Sequence, residues 1–314
     1  MAKYLVTGAA GFIGSHLCEA LLQQGETVVG VDAFIPYYPR PIKEANLTKA
    51  KTHQNFQFHE LDLRDGPIKD IVDGVDVVIH MAAMAGLAKS WTDFDLYQNC
   101  NLQATQRLLE AVKDIGLQKF VYISTSSVYG RFSAGDESLP TRPISPYGVT
   151  KLASENLCRA FFEEFDLPLV VLRYFSVYGP RQRPDMGYHK FIRAMLDQSR
   201  ITVFGDGHQV RGNTYIDDCV AATMAAVNCP SGEAYNVGGG ETASVWDILR
   251  ILEEILDTKA ITEQKPGRPG DQRSTFADTR KLQQHTGWQA KTSLREGLLN
   301  QVEWQRNIIR RQSA

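Results

Sequence analysis

Short apolar runs alternate with helix-length amphipathic stretches along most of this chain. Tyr4-Leu5-Val6-Thr7, Thr27-Val28-Val29-Gly30-Val31, Phe56-Gln57-Phe58-His59-Glu60-Leu61, Asp76-Val77-Val78-Ile79-His80, Lys119-Phe120-Val121-Tyr122-Ile123-Ser124 and Leu169-Val170-Val171-Leu172-Arg173-Tyr174-Phe175 are strand-length and rich in β-branched and aromatic residues. That is the pattern of buried parallel strands. Helices are expected from Ser15 to Gln24 with Gly25 as the stop, from about Phe94 to Ile115, and from Ser145-Pro146-Tyr147 onward. Alternation at this spacing predicts an α/β fold, a Rossmann-type doubly wound parallel sheet.

Past Ser176 the pattern changes. Tyr178 to Asp185 is a Pro/Arg-rich loop, followed by a helix expected over 187–198 and a short strand, Ile201-Thr202-Val203-Phe204. Tyr215 to Val227 reads as a strand end and helix, and Glu233 to Val237 as one more strand. Two late helices open on capping-box patterns, Ser244-x-x-Asp247 and Ser293-x-x-Glu296. The expected division is a dinucleotide-binding domain over 1–175 and a smaller mixed α/β lobe over 176–314, with about 214–245 returning to the first domain.

Composition narrows the class. The chain has 314 residues, 43% hydrophobic and 22% charged, with a formal net charge of −2. Such a balance gives no electrostatic reason for a nucleic-acid or acidic-membrane partner. Five scattered cysteines without a CxxC read as reduced thiols of a cytoplasmic protein, with no disulfide frame or metal site expected. No run approaches the ~18 apolar residues that would cross a bilayer.

The first strand, turn and helix carry the clearest chemistry. Gly8-x-x-Gly11-x-x-Gly14 sits between Thr7 and the Ser15 helix, with Phe12 and Ile13 inside the turn. Gly8 permits the tight turn, Gly11 a close approach to a pyrophosphate, and Gly14 helix-on-strand packing. The amide end of the helix then faces phosphates. Asp32 closes the second strand, where a carboxylate accepts both ribose hydroxyls and repels a 2′-phosphate. Ala33 follows it instead of a base, which favours NAD over NADP. Asp62-Leu63 is expected near the adenine, and the small Ala82-Ala83 at a strand end against the dinucleotide.

The second constellation is Thr125-Ser126-Ser127 at a strand end, followed by Tyr147 and Lys151 one helical turn apart. A phenol, an ammonium and a hydroxyl converging on one substrate atom can move a proton. A tyrosine near pKa ~10 must fall by ~3 units, roughly 4 kcal/mol, to act as a base at neutral pH, which a lysine cation and a cationic cofactor ring can supply. Tyr-x-x-x-Lys alone is weak: twelve tyrosines and a lysine at roughly one position in twenty give about half a match by chance. The upstream dinucleotide motif lends it weight. His80 has no partner near it in sequence and reads as structural. Arg183, Arg211 and Arg268, in glycine- and proline-bearing loops, are suited to clamp a diphosphate or else are solvated surface charges.

Taken together, Gly8, Gly11, Gly14, Asp32, Asp62-Leu63, Thr125, Tyr147-x-x-x-Lys151 and Arg173-Tyr174-Phe175 resemble the extended short-chain dehydrogenase/reductase family over essentially the whole chain, specifically its NAD-dependent nucleotide-sugar epimerases and dehydratases. The resemblance implies tightly held NAD recycled within each turnover, Tyr174 among the cofactor residues, a nucleoside diphosphate sugar in the second lobe and a homodimer through helices near 94–115 and 146–165. Positions 126 and 127 carry serines where family dehydratases and decarboxylases carry acids, which leaves 4-epimerisation. Thr-Ser-Ser-Val-Tyr-Gly with Gly-Pro-Arg-Gln-Arg-Pro-Asp-Met looks most like the UDP-glucuronic acid 4-epimerases. Carried over, Thr125, Ser126, Ser127 and Ser176 would meet the sugar and its carboxylate, and Arg183 would lie near the sugar. Val203 and Phe204 would sit by the uracil, Arg211 and Arg268 by the diphosphate, and Asp271 by the ribose. The same reaction on UDP-glucose or UDP-galactose, or a catalytically silent NAD-bound sensor or scaffold, are the alternatives.

Overall fold

Seven of the apolar runs lie side by side in one parallel sheet. The structure is a computed structural model that describes residues 1–312, so the last two residues of the lobe expected over 176–314 lie outside it. The chain begins β1 (Lys3–Thr7), α1 (Phe12–Gln23), β2 (Thr27–Asp32), α2 (Arg40–Leu47), β3 (Phe56–Glu60), β4 (Val77–His80), α3 (Phe94–Gln98), α4 (Ala104–Val112) and β5 (Lys119–Thr125). Next come β6 (Phe132–Gly135), α5 (Pro146–Phe165), β7 (Leu169–Tyr174), β8 (Val177–Tyr178), α6 (Gly187–Leu196) and β9 (Arg200–Phe204). After β10 (Val210–Gly212) and β11 (Thr214–Tyr215) come α7 (Ile216–Ala225), β12 (Glu233–Val237), β13 (Thr242–Ser244) and α8 (Val245–Leu256). The last elements are β14 (Ile261–Lys265), β15 (Ser274–Ala277), α9 (Arg280–Thr286) and α10 (Leu294–Gln312).

The main sheet has the order β12-β7-β5-β4-β1-β2-β3, every neighbouring pair parallel. Alternate residues of each strand enter opposite cores: Leu5, Val78 and Tyr122 pack on the side of α4 and α5, while Val6, Ile79 and Val121 pack on the side of α1 and α7. Strand order reverses beside β1, and the carboxyl ends of β1, β4 and β5 open together there. Open α/β sheets bind ligands at this place.

The helix expected from about Phe94 to Ile115 ends at Val112 and is interrupted by a π-helical turn over Asn99–Gln103. The stretch after Gly130, read as loop, contains β6. That strand pairs in parallel with β15, some 140 positions later, in a second sheet of order β13-β10-β15-β6. Its four residues are too few to show a period. β12 closes the edge of the main sheet beside β7. The Ser244 capping box is complete, Ser244 Oγ accepting from Asp247 N and the Asp247 carboxylate from Ser244 N. At Ser293 the hydroxyl accepts from Glu296 N at 3.3 Å.

Candidate active site

The turn between β1 and α1 is shaped by two glycines. Gly8 stands at φ +74°, and a Cβ on Gly14 would lie 2.2 Å from the Gly8 carbonyl oxygen, so the helix can approach the strand only without one. Gly11 is the N-cap of α1, no side chain caps the helix and its first turn holds no acid, which leaves its amide end suited to an anion. At the end of β2 the Asp32 carboxylate accepts from Ala10 N (3.2 Å) and Phe34 N (2.8 Å) and lies 3.8 Å from Lys43 Nζ. Burial pushes its pKa up, against the pull of Lys43 and the two amides.

A cavity of about 730 Å³ runs from this turn to residues after β7, among them Ser176, Arg211 and Arg268. On the cofactor side Gly8, Gly11, Phe12, Ile13, Gly14, Asp32, Asp62, Leu63, Ala82, Ala83 and Tyr174 all line it. Thr125, Ser126, Ser127, Tyr147, Lys151, Ser176 and Arg183, with Arg211, Arg268 and Asp271, line it as well, and the Arg183 charge acts on Tyr147. Thr125 caps the turn after β5 by accepting from Ser127 N at 3.2 Å, which turns both serines toward the cavity mouth of the strand. Ser145 caps α5, accepting from Gly148 N at 3.1 Å with Pro146 following it. That cap sets Tyr147 in the first turn and Lys151 in the second.

The electrostatics differ from the sequence expectation of a lowered phenol. Burial is the largest influence on Tyr147 and pushes its pKa up; the Thr125 hydrogen bond and the Arg183 charge oppose it. Lys151 is buried too, and its pKa falls to about 7. Its Nζ lies 4.2 Å from the centroid of the Tyr122 ring. The three arginines are not free cations. Arg183 chelates Asp185, Arg268 pairs with Asp271 at 3.2 Å, and Arg211 donates to the carbonyls of Val210 and Gln272.

The molecule matches the model of the NAD dependent epimerase/dehydratase family over residues 4–238. The chain belongs to that family. A UDP-glucuronate 4-epimerase of Thermodesulfobacterium geofontis is 38% identical, across 98% of this chain and 98% of its own. An uncharacterized UDP-glucose epimerase of Bacillus subtilis is 44% identical, across 96% and 97%. The crystal structure of UDP-glucuronic acid 4-epimerase from Bacillus cereus in complex with UDP-glucuronic acid and NAD superposes with a TM-score of 0.96 at 45% identity, covering 98% of this chain and 99% of that one.

In this epimerase-family site two expected residues do not reach the cavity. Val203 is buried in the core, because β9 turns Ile201 and Val203 inward. Phe204 faces the other way and meets Arg268 of the cavity lining, whose guanidinium lies 4.2 Å from its ring centroid. Other residues were missed. Tyr37, Lys43, Lys89 and Gln272 line the cavity, the last donating to Ser126 O, Gly130 O and Ser133 Oγ. Asn101, in the π turn, accepts from Met84 N (2.7 Å) and donates to Met84 O and Thr150 Oγ1, tying the loop after β4 to α5. His80 is structural: Nδ1 pairs with Thr7 Oγ1 and Nε2 with Thr105 Oγ1.

Proposed function

We propose that the chain is a UDP-sugar 4-epimerase that interconverts UDP-glucuronate and UDP-galacturonate with NAD. The observation that carries this reading is the lining of the cavity around Tyr147. There Tyr147 meets Thr125, Lys151 lines the same cavity, and both positions after Thr125 hold serine rather than an acid able to drive elimination or decarboxylation. Similarity to the uronate epimerases of T. geofontis and B. cereus supports it.

The glycine turn with no room for a Cβ at Gly14, the uncapped start of α1 and the Asp32 carboxylate fit the pyrophosphate and ribose of NAD. When bound, NAD supplies reversible oxidation at C4 of the sugar. Tyr147 takes and returns the C4 hydroxyl proton, Thr125 holds the same oxygen in line, and the Lys151 ammonium favours the phenolate. Ser126, Ser127 and Ser176 hold the uronate carboxylate, Arg183 lies near the sugar, and Arg211 and Arg268 hold the diphosphate from the residues after 176. The transient 4-keto sugar turns within the pocket before it is reduced on its other face.

A UDP-glucose or UDP-galactose substrate is the second reading, favoured by the Bacillus subtilis relative's name. Incubation with each UDP-sugar and no added NAD, with products resolved chromatographically, separates the two. Turnover of the neutral hexose alone would refute the uronate. We further propose a homodimer, since exposed Phe94, Val149 and Phe165 lie on α3 and α5; light scattering behind a sizing column tests it. The five unpaired, buried thiols favour a cytoplasmic home.

A further inference from the structure

Lys151 is buried in the wall of the cavity; among the described residues its Nζ makes no hydrogen bond and no ion pair, and the ring of Tyr122 on β5 lies 4.2 Å from it at the centroid. A buried ammonium without a counterion tends to lose its proton. The charged and titratable groups around it offer little. On α5, Tyr147 is neutral in its ordinary state and Cys158 is a thiol whose pKa burial pushes far up, so neither brings a negative charge near neutral pH. Glu155, one turn beyond Lys151, has its carboxylate gripped by Arg173 Nε and Nη2 (2.8 Å at the closer) and by the Ser124 hydroxyl, so much of its field is cancelled. On β4, His80 has both ring nitrogens committed and stays uncharged.

We infer that the face of the Tyr122 ring is the seat that holds Lys151 as an ammonium in the cavity wall one helical turn from Tyr147, which makes Tyr122 a positioning residue for proton transfer. The inference rests on the reading of Tyr147 and Lys151 as the proton-moving pair. An aromatic face carries negative quadrupole density and attracts a cation most strongly where water is excluded. Tyr122 is wholly buried and does not line the cavity, so its ring acts on the reaction indirectly, through the Lys151 it faces. Its hydroxyl lies near Ser154 but meets no partner in hydrogen-bond geometry. The ring is therefore the working part, and the oxygen is dispensable.

Substitutions at position 122 in the full-length, NAD-loaded enzyme test this. Two readouts are taken: the pH profile of kcat, and the titration of Lys151 followed by the 13Cε shift of labelled lysine, assigned with Lys151→Arg. Tyr122→Phe is expected to keep both curves where they are. Tyr122→Leu is expected to move the Lys151 titration and the alkaline limb of kcat down by about one pH unit or more, with KM for the UDP-sugar unchanged. The ammonium is the form lost as pH rises, so the active window narrows from its alkaline side. Since leucine leaves a gap in a buried core, a series of mono-, di- and trifluorinated phenylalanines at position 122 keeps the shape while draining the ring face. Graded downward shifts along that series support the seat even if Tyr122→Leu does not fold. Unmoved curves in the fluorinated series, or a shift in Tyr122→Phe as large as in Tyr122→Leu, would overturn it. Should the parent enzyme convert no UDP-sugar, the proposed function fails alone, because the lysine titration still decides the seat.

Discussion

At the scale of single residues, burial raises the phenol of Tyr147 and lowers the ammonium of Lys151 to about 7. Removing only the phenol oxygen isolates its share of the reaction. Tyr147→Phe is expected to fold and bind NAD normally while epimerisation falls on the order of 10²–10⁴-fold; a stopped assay of uronate conversion beside an NAD content measurement reads both. Near-normal turnover would mean that another group carries the proton. A second residue-scale expectation concerns the product. Oxidation of a glucuronate at C4 makes a β-keto acid, which loses carbon dioxide if its carboxylate swings out of plane and an acid protonates the enolate. Ser127 lines the cavity without a charge, and a hydroxyl hydrogen bond contributes only ~0.5–1.5 kcal/mol. Ser127→Glu is therefore expected to raise the share of decarboxylated pentose relative to epimer. Mass spectrometry showing slower epimerisation with no pentose would return the neutral hexose to first place.

At the scale of elements, the contact between β1 and α1 allows no side chain at Gly14. Gly14→Ala is expected to cost ~1–3 kcal/mol through overpacking and to weaken NAD binding, seen as a lower melting temperature and a higher Kd. An unchanged melt would show that the helix can slide away from the strand at little cost. This junction was legible in the amino-acid sequence, as were β1 to β5, β7 and the pairing of Tyr147 with Lys151, because period, spacing and caps are local signals. Elements stabilised only by remote partners were not. β6 has only four residues, with Ser133 buried between exposed Phe132 and Ala134, and finds β15 far along the chain. The π turn that aims Asn101 at Met84 and Thr150 arises from side-chain bonds between segments distant in sequence. Gln272 reaches Ser126 across 146 positions, a link no spacing rule encodes. Val203 lies off the cavity for a different reason: β9 was legible as a strand, but which of its faces meets the core is set by the helices packed on it.

At the scale of the whole molecule, one half-buried and one buried histidine link folding to acid. Burial, then the nearby Arg181 charge, lowers His16 to about 4, and its Nε2 meets Pro180 O at 3.0 Å; burial, then Lys151, lowers His80 to about 3. Both native values lie below the unfolded one near ~6.5. Their stabilising effect is complete above that pH and is lost as pH falls toward 4 and then 3, because the unfolded chain takes up the protons first. Each histidine contributes ~1.4 kcal/mol per pH unit in that window, so the pair gives a slope of about 2.7. Denaturant unfolding at pH 6.5, 5.5 and 4.5 checks this. A flat stability over that range would mean that the histidines are protonated in the folded chain.

The exchange of edge strands has a consequence for anyone who would recombine this enzyme with its relatives. β12, from the late part of the chain, closes the main sheet against β7, while β6, from the early part, closes the small sheet against β15. A chimera joined by one crossover near residue 176 would therefore bring two mismatched edges together, each replacing a strand that belongs to the other parent's sheet. Exposed or ill-paired edges invite association between chains. Swapping substrate preference between relatives thus calls for exchanging the stretches around β6 and after β7 together while keeping β12 with its own sheet, a mosaic with several junctions rather than a graft with one.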